Sequence, residues 1–140
     1  MKVKLRNFEI ERYLNIAFAP ESFRNNVSIK ISAEMDWALR INIKAMTDRL
    51  ELFNNARDDL SREFIDTGKV EGEMVKEEFI PEYNKRLSAL YNLMNELEFA
   101  TIKKDELKKI EFLSMPERDL LNLMVEEEPE MEESKWKKYP

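Results

Sequence analysis

Between Ser32 and Asp66 neither glycine nor proline interrupts the chain, and Leu39, Ile43, Met46, Leu50, Phe53, Leu60 and Phe64 recur at intervals of four and three, with Arg57 filling the gap. Apolar residues at this spacing stay on one face of an α-helix, so the pattern predicts a single long helix carrying a heptad seam. At 1.5 Å per residue such a helix would run about 50 Å, longer than most dimensions of a compact domain of this size. Each half must therefore be covered by something else. Gly68 follows the last seam residue as a natural helix stop, and the stretch TGKVEGEMVKEE predicts a reversal, through a small ribbon around Val70 and Val75. Beyond it Ile80, Tyr83, Leu87, Leu90, Met94 and Leu97 form a second seam. It predicts a helix from about Pro81 to Glu98, with proline in its first turn and Glu77 and Glu78 just ahead, where the helix dipole favours acids. Two such stripes joined by a short reversal hide each other as an antiparallel hairpin.

The flanks read as smaller elements. Val3 and Leu5 alternate with Lys2, Lys4 and Arg6, which predicts a short strand, and the β-branched and aromatic run Phe99–Ile102 is its expected partner. Asn7 is a plausible N-cap for a short helix through Ile10 and Leu14 that ends before Pro20, and PESFRNNVS reads as a connection. Asp105–Ile110 predicts another short helix. Ser114 with Glu117 three residues later has the spacing of a capping box and launches a last helix through Leu120, Leu121, Leu123 and Met124. The expected fold is mainly α: an antiparallel long-helix hairpin, short flanking helices and a minor two-stranded β element. Residues 1–125 are expected to form a single helical domain.

Composition narrows the chemistry. No cysteine and no histidine occur, which removes disulfides, thiolate nucleophiles, the usual general base and the commonest zinc ligands. Carboxylates alone can still hydrolyse glycosides, but no pair of acids stands in an apolar setting, and an enzyme is not expected. The acids Asp58, Asp59, Glu63 and Asp66 fall mostly on an exposed helix face without the spacing of a calcium loop, and the turn GKVEGE lacks that of a phosphate loop. No metal and no cofactor are expected. No apolar run is long enough to cross a bilayer and the N-terminus has no signal-like core, so the expected location is cytoplasmic.

Net charge is −6, but residues 126–140 (EEEPEMEESKWKKYP) hold six acids and three lysines, which leaves −3 on residues 1–125. That tail is expected to be an acidic, disordered appendage. Nucleic acid is not an expected partner, although Lys2, Lys4 and Arg6 make the start locally basic. A protein partner is expected, with self-association as a possibility. Trp136 and Tyr139, set among Lys135, Lys137 and Lys138, have the form of a short docking motif. Arg57, at a seam position, is expected to pair with a carboxylate such as Glu82 or Glu51 as a buried ion pair, the alternative being an anion site. Trp37 is expected in the core under the first helix. If the first half of the long helix is left open instead, Met35 and Trp37 are its partner-binding surface.

The opening MKVKLRN, the ARDDL stretch, the EEF after a Gly-containing reversal, then LEFATIKKDEL and LSMPERDLLNLMV resemble short proteins encoded by bacteriophages and prophages. The resemblance extends along nearly the whole chain and implies a phage origin and a compact helical fold. It brings no active residues with it. Together with the lack of catalytic residue types it leads to an expected role as a phage accessory protein that binds, and inhibits or recruits, a host protein such as a defence component. A virion tail or head assembly factor is the alternative, and a nucleic-acid-binding protein a weaker one.

Overall fold

The computed structural model describes residues 1–126, in the order β1 (Lys2–Arg6), α1 (Asn7–Phe18), α2 (Ala33–Asp66), β2 (Val70–Glu71), β3 (Met74–Val75), α3 (Ile80–Tyr91), β4 (Met94–Glu98), α4 (Lys104–Lys108) and α5 (Met115–Asn122). Short 3-10 turns at Phe23–Asn25 and Glu77–Phe79 lead into α2 and α3. The mainly α architecture, the long helix and the small β elements are those the hydrophobic pattern predicts.

Helix α2 is 34 residues long and has chemically defined ends. The Ser32 hydroxyl accepts from the Met35 N–H (3.1 Å), and Glu34 and Asp36 occupy the first turn, where carboxylates meet the positive end of the helix dipole. At the other end Gly68 adopts φ +73°, its N–H donates to the Ile65 carbonyl (3.1 Å) and the Lys69 N–H to that of Phe64 (2.9 Å), the paired bonds of a Schellman stop. A side chain at Gly68 would meet no atom but would force a left-handed conformation on an L-residue. Gly68→Ala is therefore expected to lower stability by about 1 kcal/mol in equilibrium denaturation. The β2–β3 ribbon follows, turning at Gly72 with φ +64° and pairing Val70 with Val75.

The second helix is shorter than its seam suggests. It ends at Tyr91, and residues 94–98, expected in its last turns, are strand β4, antiparallel to β1 with Val3 opposite Leu97 and Leu5 opposite Asn95. Phe99–Ile102 is thus not the partner of β1. The run Leu90–Phe99 satisfies two periods at once: Leu90, Met94 and Leu97 at helical spacing, or Asn95, Leu97 and Phe99 at alternate positions. The unpaired backbone of β1 decides between them, because its N–H and C=O groups need a ladder. Asn7 fixes the break: its N–H donates to the Leu93 carbonyl (3.1 Å) and its side-chain amide to that of Leu90 (2.7 Å), while Asn95 donates back to its Oδ1 (2.8 Å). Asn7 is therefore a buried strut and not the N-cap, a place held by Arg6, whose N–H donates to the Glu9 carboxylate (3.0 Å). Phe99–Ile102 instead runs beside α2, and Ile102 bridges Val125 in parallel fashion.

The main core surrounds the first half of α2. Leu39, Ile43 and Met46 pack there with Ile10 and Leu14 of α1, Leu97 and Phe99 at the end of β4, and Leu120, Leu121 and Met124 in and just after α5. Met35, considered above as part of a partner surface, is 1% exposed and belongs to this core. The second half of α2 buries Phe53, Leu60 and Phe64 in a separate, smaller contact with α3. Tyr91 meets the Phe53 ring edge-on (centroids 4.9 Å apart) and Tyr83 meets that of Phe64 (5.1 Å), yet α3 itself has no fully buried residue. The hairpin is an extension of the core and not its centre.

Candidate partner-binding surfaces

Arg57 lies where the smaller contact meets α1. Its guanidinium donates to the Tyr91 hydroxyl (2.8 Å) and the Asn54 side-chain oxygen (2.9 Å), sits over the Phe53 ring, and comes within 3.7 Å of Glu11 Oε2. The partner is Glu11 on α1, not Glu82 or Glu51, and both members of the pair are half-buried. The seam spacing places Arg57 on the inner face of α2, but only the tertiary packing of α1 supplies its acid. With its donors directed at Tyr91, Asn54 and Glu11, this guanidinium ties three helices together and is not arranged as an anion site. Glu82 pairs with Lys69 instead (3.3 Å), and Glu63, one of the acids on the outer face, is engaged by Arg86 across the α2–α3 furrow. The Arg86 hydrogen bond holds the Glu63 carboxyl below its ordinary range. What this exposed pair adds to stability is present above the usual carboxyl range and fades as pH falls through the lowered value. Among the described residues no group of three or more His, Cys, Asp or Glu side chains is placed to hold a metal ion.

The basic strand β1 faces acids. Lys2 stands opposite Glu98 and Lys4 opposite Glu96, and the Lys2 ammonium approaches Glu96 Oε1 to 3.3 Å. Cross-strand carboxylates of this kind cancel most of the field that a phosphate backbone would feel.

Among the described residues, two open surfaces bear on partner binding. One is a groove of about 690 Å3 between the outer face of α1 and the start of α5. Phe8, Arg12, Ile16 and Ala19 line one wall at helical spacing, and Ser114, Pro116 and Glu117 line the other. Glu117 gives the groove its shape: Oε1 accepts from the Ser114 N–H (3.2 Å) in the expected capping box, and Oε2 from the Phe23 N–H (2.6 Å), so one carboxylate caps α5 and pins the α1–α2 connection. Two residues before Ser114 in the chain, Phe112 is 82% exposed with φ +66°, the one non-glycine residue with positive φ among the described residues. Met115, three residues further on, is 71% exposed. The sequence carries no signal for Phe112, since a left-handed phenylalanine has no compositional mark.

The other surface is the solvent side of α2. Trp37 is not in the core: it is 66% exposed, and with Ile41 and Leu52, also exposed, it forms an apolar row along that side. Trp136 and Tyr139, with the expected acidic tail beyond Glu126, lie outside the described residues. No described helix is long and apolar enough to cross a membrane. The chain matches no model of a known protein family, and it matches no curated protein and no solved structure.

Proposed function

We propose that the protein is a small bacteriophage accessory protein that acts by protein–protein contact, inhibiting or recruiting a protein of the bacterial host, with the α1–α5 groove as its docking site. The phage origin rests on the resemblance of MKVKLRN, LEFATIKKDEL and LSMPERDLLNLMV to phage-encoded chains. The docking role rests chiefly on one observation: the α5 wall of an apolar-lined groove begins at Ser114, two residues after an exposed phenylalanine held in a left-handed backbone conformation. Phe112 packs against little of its own chain, so its side chain contributes almost nothing to the fold while its backbone conformation costs stability. A partner that covers it accounts for both features. The groove offers apolar contact from Phe8, Ile16 and Pro116, flanked by the charges of Arg12 and Glu21. That combination suits a short amphipathic segment better than a small polar metabolite.

Phe112→Gly separates folding from binding. Glycine accepts positive φ without strain, so the variant is expected to be more stable by roughly 0.5–1 kcal/mol, while partner affinity falls at least about tenfold. The direct experiment places a photo-crosslinking side chain at Met115 in the full chain, expressed in the bacterial host. One defined adduct is expected, and it should disappear when Phe8→Glu is added. No adduct, or one indifferent to Phe8→Glu, would contradict the reading. Particle assembly through self-association is the second reading, favoured by the apolar row on α2. Nucleic-acid binding through Lys2, Lys4 and Arg6 has the least support, because Glu98 and Glu96 stand opposite Lys2 and Lys4.

A further inference from the structure

The outer row of α2 has a property that a general docking patch lacks: it is self-complementary. At about 100° per residue, Ile41 and Leu52 lie about 40° and 60° round the helix from Trp37, so the three side chains occupy one narrow wedge extending about 22 Å along the axis. Trp37 and Leu52 are 66% and 62% exposed, and Ile41 is 40% exposed. Between Ile41 and Leu52 in sequence stand Ala45, half-buried against the chain's own core at the edge of the wedge, and Asp48 within the wedge, whose charge is taken up by Lys44 of the same chain.

We infer that this face pairs with the same face of a second copy, the two α2 helices antiparallel about a two-fold axis near Ala45. Trp37 lies eight residues before Ala45 and Leu52 seven residues after it, so the axis brings each Trp37 over the partner's Leu52, a large side chain against a smaller one. Arg40 lies five residues before the axis and Glu51 six after it, on the same flank of the row, so the same operation sets Arg40 of one copy beside Glu51 of the other at both ends. Arg40 already meets Asp36 in its own chain (2.9 Å), whereas Glu51 has no ion pair among the described residues. A parallel arrangement would bring Trp37 against Trp37 and set the two Glu51 side chains on opposite flanks, away from Arg40, losing both complementarities.

One helix pair of this length covers less than the roughly 800 Å2 per partner of a standard interface, so the association is weak, with Kd on the order of 10–100 μM. The pairing leaves the α1–α5 groove free, and a dimer presents two grooves at once.

Sedimentation of the full chain across that concentration range tests the inference. The expected result is a reversible monomer–dimer equilibrium that Trp37→Glu abolishes at unchanged circular dichroism, as suits a side chain this exposed. Arg40→Glu and Glu51→Arg should each weaken the dimer about tenfold or more, and the double variant should restore it, since swapping both charges rebuilds both contacts. Phe8→Glu, which disables the groove, should leave the dimer intact, so failure here and failure of the docking reading are told apart. A strict monomer overturns the inference, as does a dimer that survives Trp37→Glu. Single charge reversals that the double variant does not rescue overturn the antiparallel pairing. A photo-crosslinker at Ile41 that captures a different protein and never a second copy would assign the face to a foreign partner and overturn it likewise.

Discussion

Replacing Asn42 with leucine is expected to lower the stability of the protein by about 2–4 kcal/mol, read as a shift of the denaturation midpoint at unchanged slope. Asn42 lies at the inner side of α2 with no exposed surface. Its amide donates to the Ala100 carbonyl (2.9 Å) and its carbonyl accepts from the Ala100 N–H (2.8 Å), so one side chain satisfies both the backbone donor and the backbone acceptor of a residue that has left the strand ladder. Leucine would fill the space but leave both backbone groups buried without partners, and each such group costs roughly 1–3 kcal/mol. Asn42→Asp tests the same bonds from the other side: its carboxylate still accepts from the Ala100 N–H but repels the carbonyl, and it too is expected to destabilise. A loss under about 1 kcal/mol for the leucine variant would mean that water replaces the asparagine.

Phe64→Ala probes the other half of α2. Phe64 is fully buried, meets the Tyr83 ring edge-on, and has the Lys69 ammonium 5.0 Å from its centroid. Removing a buried phenylalanine ring costs roughly 3–5 kcal/mol at the site. Because this contact lies outside the main core, the second half of α2 and α3 can open while the rest stays folded, and the loss seen in global unfolding is capped by the free energy of that local opening. The expected outcome is a large increase in amide exchange over residues 60–91 with a smaller shift of the global transition than Leu121→Ala produces. Leu121 is fully buried at the centre of the main cluster. Equal losses for the two variants in global unfolding would show that the hairpin and the core unfold as one.

These two residues also mark how far the sequence could be read. The seam of α2 was legible because an uninterrupted run of more than four turns admits one period only, and its ends were legible because Ser32 and Gly68 act through local backbone chemistry. Capping at Ser114 was readable for the same reason. Met94 and Leu97 were misplaced because a short apolar run between Asn92 and Phe99 fits a helix and a strand equally, and the deciding factor, the unpaired edge of β1, lies about ninety residues away in the chain. Asn7 and Asn42 stayed hidden as struts because their roles exist only where distant backbone groups arrive. Hydrophobicity alone points Trp37 to the core, but its position between the core residues Met35 and Leu39 turns it toward the opposite side of the helix. The groove was the least legible feature: its walls come from α1 and α5, which no sequence periodicity brings together.

The central structural claim is that the first half of the long helix, and not the hairpin, holds the molecule together and so frees the groove and the outer row to act as surfaces. Native-state hydrogen exchange of the full chain, resolved by residue, tests it most directly. The slowest amides are predicted in residues 39–46 of α2 and 10–17 of α1, exchanging only by global unfolding, with residues 60–91 exchanging faster through a smaller opening. Slowest exchange in α3 and residues 53–64 of α2, with the first half of α2 opening before them, would contradict it.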